Sequence, residues 1–270
     1  MKVLIIGAAG GVGVRAAARL VARGHQATGL VRRREQVELL SSRGIGTVVG
    51  DVVKDSIETL AGHIRGHDAL LFTAGAGGRD GSEATIAVDG DGPGKVAQAM
   101  RLAGVSRFYL VSVFPEAWRA RRMDDDFEQY MVEKKKAETQ IVFTELDWVV
   151  LRPSALTDEP GVGTVALGLA KVHEEIRRDD VAGTLVALME RSEIRRCIPH
   201  PPPAPPPPPP PPRRALPASP PPPPPPPPPR PRDRPPTPPP PLPPPPPPHP
   251  PLRPPPLPPP PTPPPPRRPP

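Results

Sequence analysis

The sequence predicts an α/β fold in which a doubly wound parallel sheet carries helices on both faces, and three observations lead there. Short apolar runs alternate with longer amphipathic stretches, a glycine array follows the first run, and the composition changes abruptly near Pro199. Strands are expected at 3–6, 27–31, 47–49, 69–73, 108–112 and 148–151. Each is apolar almost without a break, as a strand covered on both faces must be. Helices are expected near 12–23, 34–42, 54–64, 94–103, 124–140 and 179–190, so the order is βαβαβ, repeated.

The punctuation agrees with this order. The first run ends at Gly7 after about four apolar residues, far too short for a signal-peptide core or a membrane span. Gly24 and Gly104 stand where helix stops belong. The segment Val88-Asp-Gly-Asp-Gly-Pro-Gly94 contains the residues least suited to a helix interior, so it is expected to end any helix running from Ser82 and let a new one start.

Of 55 prolines, 50 fall in the 70 residues from 201 onward and five before. That tail has no aromatic residue and too little apolar surface to offset the entropy of ordering it. One folded domain is therefore expected over 1–198, followed by a proline-rich disordered tail over 199–270. The formal charge of +7 also belongs to the tail, where eight arginines meet one aspartate. The first 200 residues balance at 27 basic and 27 acidic, which argues against a nucleic-acid groove. With Cys197 as the only cysteine and no membrane signal, a cytoplasmic protein without an internal disulfide is expected.

The first chemical motif is Gly7-Ala-Ala-Gly10-Gly-Val-Gly13, placed where a strand turns into a helix. Glycines at such a turn let the backbone approach a pyrophosphate, and the positive end of the following helix favours its charge. Gly13 would let that helix pack closely on the strand. Gly7, Ala9, Gly10, Gly11, Val12 and Gly13 are thus candidates for binding a dinucleotide, and the sheet is expected to be an NAD(P)-binding Rossmann fold. After the second strand comes Val31-Arg32-Arg33-Arg34 rather than an acidic residue for a ribose hydroxyl. Arg32 and Arg33 suit a 2′-phosphate, which favours NADP over NAD.

With Gly50-Asp51-Val52, Leu71-Phe-Thr-Ala-Gly75, Tyr130-x-x-x-Lys134 and Leu146-Asp-Trp-Val-Val-Leu-Arg-Pro153 in order, residues 1–198 resemble an atypical short-chain dehydrogenase/reductase. More narrowly, they are similar to the small NAD(P)H-binding proteins called NAD-dependent epimerase/dehydratase-like or NmrA-like. Leu156-Thr-Asp-Glu-Pro-Gly161 and Arg178-Asp-Asp-Val181 belong to the same likeness. The resemblance implies that Asp51 and Val52 lie by the adenine, that Ala74 and Gly75 line the coenzyme, and that Pro153 ends a strand against it. It further implies that Tyr130 donates a proton to a carbonyl while Lys134 holds the nicotinamide ribose and lowers the tyrosine's pKa. Spacing of four puts Tyr130 and Lys134 on one helix face. Ser112 stands where the superfamily's catalytic serine would, but alone; the chain has no asparagine for the fourth member of the fuller set.

The substrate side is expected from 114–123 and 153–164, with Phe114, Trp118 and Pro153 as an apolar wall. His63 and His67 share helical spacing, yet no third ligand accompanies them, and no metal is expected. Asp124-Asp-Asp126 reads as helix capping.

The tail admits three readings. Polyproline forms an extended left-handed helix, and Arg253-Pro-Pro-Pro-Leu is of the kind that SH3, WW or EVH1 domains accept. Apart from Asp233, however, every non-proline residue of the tail lies one base change from a proline codon, which points to a C-rich tract read in a shifted frame. The function expected overall is an NAD(P)H-dependent oxidoreductase or epimerase-like enzyme on a small carbonyl-type substrate. The alternatives are a non-catalytic NADP-binding redox sensor and a proline-rich interaction protein.

Overall fold

The computed structural model describes residues 1–77, 81–114, 123–165, 167–168 and 175–199. Six parallel strands form one sheet: β1 (Lys2–Ile6), β2 (Gln26–Val31), β3 (Gly46–Val49), β4 (Ala69–Phe72), β5 (Arg107–Val111) and β6 (Asp147–Leu151). Their order is β3-β2-β1-β4-β5-β6, the doubly wound Rossmann arrangement that the apolar runs predicted. Around the sheet lie α1 (Gly11–Ala22), α2 (Arg34–Ser41), α3 (Ile57–Ile64), α4 (Gly81–Ala84), α5 (Gly92–Ala103), α6 (Asp125–Val142) and α7 (Arg178–Met189).

Successive strand side chains point to opposite faces, so each strand supplies two cores. Val3, Ile5, Leu71, Tyr109 and Leu151 pack with Ala16 and Leu20 of α1 and Leu185 of α7. Leu4, Ile6, Phe72, Leu110 and Val150 pack on the other side with Leu60 and Ile64 of α3 and Val96 and Met100 of α5. Unbroken apolar strands are the sequence trace of this two-sided burial. The register sets Ile6 beside Leu30 and Phe72, which brings the ends of β1, β2 and β4 to one edge.

Three details differ from expectation. The helix expected near residue 54 begins at Ile57, because Ser56 accepts a hydrogen bond from the Thr59 N–H and caps it. The segment 88–94 does not break a helix: α4 passes through a π-helical stretch, Thr85–Asp91, directly into α5. The wider turn precedes Pro93, which has no N–H to donate. The glycines there serve packing, since a Cβ on Gly90 would strike Glu133 of α6 and one on Gly94 would strike Gln140. Finally, β7 (Ala155–Thr157) and β8 (Glu175–Arg177) form a small parallel ribbon that the sequence did not announce.

At the outer edge of β6, Val149 bridges Cys197 and the Val150 N–H donates to the Cys197 carbonyl at 3.1 Å. From Pro199 on, the sequence is largely proline, which cannot donate to a ladder. Among the described residues no helix is long and apolar enough to cross a membrane.

Candidate active site

A cleft of about 660 Å³ opens at the carboxyl ends of β1, β4 and β5, where the strand order reverses. Its floor on one side is the turn from β1 into α1. Gly7 has φ +90°, and a Cβ there would lie 2.5 Å from the Ala74 nitrogen, so only glycine lets this turn rest against the chain leaving β4. The Gly10 N–H donates to the Gly7 carbonyl at 2.9 Å. Gly13 lies under the turn, where a Cβ would strike the Gly7 carbonyl and come within 2.9 Å of the Ala8 Cα. The first turn of α1 carries no acidic residue, and no side chain caps its N-terminus, so its N–H groups remain available to an anion.

Gly10, Gly11 and Val12 line the cleft, as do Ala74 and Gly75 beyond β4, Ser112 at the end of β5, and Tyr130 and Lys134 of α6. Gly7, Ala9 and Gly13 are not part of its lining; Gly7 and Gly13 shape the turn by close backbone packing. Arg32 and Arg33 follow β2 and are exposed, with both backbone N–H groups donating to Gln36 Oε1. Asp51 turns its carboxylate to the N–H groups of Val53 and Lys54, and Val52 is buried in the core on the α3 side. Pro153 is buried beside the end of β5, its carbonyl accepting from the Phe114 N–H at 3.1 Å. These five residues lie outside the lining of the cleft. Residues 115–122, which include Trp118, lie outside the described residues.

At the base of the cleft Lys134 is almost fully buried and donates to the Val111 carbonyl at 2.9 Å. Its Nζ also stands 3.7 Å from Asp89 Oδ1, another buried group. Burial holds the Lys134 pKa below the usual lysine range, and the charges of Asp89 and Glu138 oppose that fall. Tyr130 is pushed above the ordinary phenol value, first by desolvation and then by Asp89. Lys134 is not among the causes of that shift: its ammonium turns toward Val111 and Asp89 and stands 6.0 Å from the Tyr130 ring centre, so the net direction is opposite to the one the resemblance implies. Tyr130 consequently stays protonated at neutral pH and is a donor. Ser112 is 5% exposed, and its hydroxyl has no hydrogen-bond partner among the described residues. A buried hydroxyl left unpaired in a cleft is poised for a polar ligand atom.

Asp89 and Arg178 line the cleft without having been singled out as site residues from the sequence, while Leu156 lines it from within the 153–164 segment expected on the substrate side. Asp89 lay in the segment read as a helix breaker, and it also accepts the Ala76 N–H at 2.8 Å, tying the chain after β4 to the π-helical stretch. A second hollow of about 370 Å³ lies beside α1 and α7, where Arg19 is paired with Asp179 and Arg23 with Glu190. Arg19 and Arg23 are thus already matched there, whereas the first cleft holds the buried Ser112 hydroxyl, which has no partner among the described residues.

A turn shaped for a diphosphate, at the reversal point of a doubly wound sheet, fits a nicotinamide dinucleotide, and a family model described as NAD(P)H-binding matches residues 7–192. The chain belongs to this NAD(P)H-binding family of atypical short-chain dehydrogenase/reductases. Among relatives in the NAD(P)H-binding family is a Bacillus subtilis protein named uncharacterized sugar epimerase YhfK. It is 35% identical over 191 residues, which are 70% of this chain and 88% of the relative. A solved structure from Bacillus halodurans, provisionally named an NAD-dependent epimerase/dehydratase, superposes with a TM-score of 0.67 at 28% identity, covering 74% of this chain and 92% of that one. The oxidoreductase ylbE from Lactococcus lactis gives 0.65 at 27% identity, covering 74% and 90%.

Proposed function

We propose that this chain is an NADPH-dependent oxidoreductase, or an epimerase-like enzyme using the same hydride chemistry, acting on a small carbonyl-type substrate. The observation that carries the reading is the convergence of the Ser112 hydroxyl, Tyr130 and Lys134 on the cleft that Gly10, Gly11 and Val12 also line. When bound, the nicotinamide supplies or accepts a hydride.

The protein's residues do the rest. The turn at Gly10–Val12 receives the pyrophosphate, with Gly7, Ala9 and Gly13 setting its shape. Arg32 and Arg33, exposed after β2, would meet the 2′-phosphate that distinguishes NADP, and Asp51 would lie toward the adenine, with Val52 held in the core on the α3 side. Ala74 and Gly75 would bound the nicotinamide half, with Pro153 buried outside the lining of the cleft. Lys134 holds the ribose hydroxyls. Tyr130 would deliver the proton that turns a carbonyl oxygen into an alcohol as the carbonyl carbon is reduced. Ser112 donates to that same oxygen while charge develops on it. An epimerase would run this step backward and then forward on the other face of one carbon.

The test is consumption of NADPH with a panel of aldehydes, ketones, quinones and keto-sugars. Tyr130→Phe is expected to lower kcat by on the order of 100-fold while binding NADPH as wild type does. Tight NADP binding with no turnover, and no difference in Tyr130→Phe, would instead identify a redox sensor.

A further inference from the structure

Arg178 is the first residue of α7, and neither the glycine array nor the Tyr-Lys pair explains it. The ribbon β7–β8 delivers it: Leu156 pairs with Ile176 and Thr157 with Arg177, so the next residues, Asp158 and Arg178, emerge side by side. Arg178 Nη1 stands 2.9 Å from Asp158 Oδ2. The stem of Arg178 lies on the glycine turn, for a Cβ added to Gly11 would come within 2.7 Å of its Cδ and 3.0 Å of its Nε. Gly11 is therefore needed for a side chain as well as for a ligand.

The charges at this mouth do not cancel. Asp158 is shared by two arginines, since Arg15 Nη2 lies 3.4 Å from its Oδ1 while Arg15 Nη1 donates to the Gly11 carbonyl. Glu159 is taken by Arg177, and Asp179 by Arg19. One carboxylate faces two guanidinium groups beside an uncapped helix N-terminus. The Asp158 side chain is 71% exposed, and an ion pair with such an acid is weak and readily exchanged. The segment after β7 is tied to α7: buried Asp180 accepts the N–H groups of Val162 and Gly163 at 3.1 and 2.9 Å.

We propose that Arg178 is a phosphate clamp: its guanidinium, lying beside the Gly10–Gly11 turn, exchanges the Asp158 carboxylate for the pyrophosphate of the dinucleotide. This rests on the coenzyme reading above. The planar fork of arginine meets two phosphate oxygens at once, a geometry that lysine lacks. Asp158 holds the fork in place until the phosphate arrives.

Calorimetric titration of the full chain with NADPH, and with adenosine 2′-monophosphate, which has no pyrophosphate, tests the clamp. Arg178→Gln is expected to weaken NADPH on the order of 10- to 100-fold at low salt, to flatten the salt dependence of its binding, and to leave adenosine 2′-monophosphate unaffected. Asp158→Asn breaks the same ion pair but frees the guanidinium, so it binds NADPH at least as tightly as wild type. The clamp is overturned if Arg178→Gln binds NADPH like wild type, if both ligands weaken equally, or if Asp158→Asn loses as much affinity as Arg178→Gln. Wild-type protein that binds no nicotinamide dinucleotide overturns the function itself, and the clamp with it.

Discussion

Asp89 Oδ1 stands 3.7 Å from Lys134 Nζ at the base of the cleft, with the two side chains 2% and 4% exposed. A buried cation needs such a partner, because burial alone would strip its proton. The carboxylate thereby opposes the fall that burial imposes on the Lys134 pKa and raises the proton affinity of Tyr130, so that one acid acts on both members of the Tyr-Lys pair.

Asp89→Asn removes that counter-charge. The Lys134 pKa is predicted to fall further, so the alkaline limb of kcat/KM moves to lower pH. Stability drops by about 3–5 kcal/mol, the usual cost of breaking a buried pair from one side. A pH–rate profile together with urea denaturation checks both; an unshifted limb would show that Asp89 does not support the lysine's charge.

Ser112→Ala is predicted to separate stability from activity. The buried hydroxyl has no partner among the described residues, so its removal should leave stability unchanged or raise it by about 1 kcal/mol, while kcat falls roughly tenfold or more. Thermal melts and turnover on the same preparations decide it. A destabilised variant with full activity would contradict the assignment.

The fold was readable because a strand covered on both faces cannot hide. Its residues at 3–6, 69–72 and 148–151 are apolar in unbroken runs, and periodicity needs no knowledge of contacts. The phosphate turn was readable for a similar reason, since four glycines in seven residues are tolerated only where backbone must come close to something. Gly90 and Gly94 follow the same rule but were read as helix breakers. Their neighbours, Glu133 and Gln140, come from a helix some forty residues later, and sequence spacing does not reveal that approach. Asp89 and Arg178 were obscured likewise: one sits in a π-helical stretch and the other beyond a ribbon of two three-residue strands, neither of which has a periodic signature.

Alkaline pH offers a third test. Tyr130 has its folded pKa raised above the unfolded value of about 10, so its contribution to stability is fully present below that pH and is lost as the pH rises through the folded value. Tyr109, also raised by burial, acts in the same direction. Tyr130→Phe should therefore lose less stability than wild type between about pH 9 and 11 in urea denaturation. Equal losses would place the Tyr130 hydroxyl in solvent.

Gly7→Ala puts a methyl group 2.5 Å from the Ala74 nitrogen at a backbone φ of +90°. The protein is predicted to lose at least about 2 kcal/mol of stability and most of its coenzyme affinity, measured by melting with and without NADPH. Wild-type stability in this variant would mean that the turn does not rest on the chain after β4.

Under the proposed function the turn from Gly7 to Gly13 seats a nicotinamide dinucleotide, and Arg32 and Arg33 favour NADP. Isothermal calorimetry of the full chain against NADPH and NADH measures it most directly. The account predicts saturable one-to-one binding of NADPH, weaker binding of NADH, and loss of that preference in an Arg32→Glu, Arg33→Glu variant. No heat of binding with either dinucleotide would contradict it.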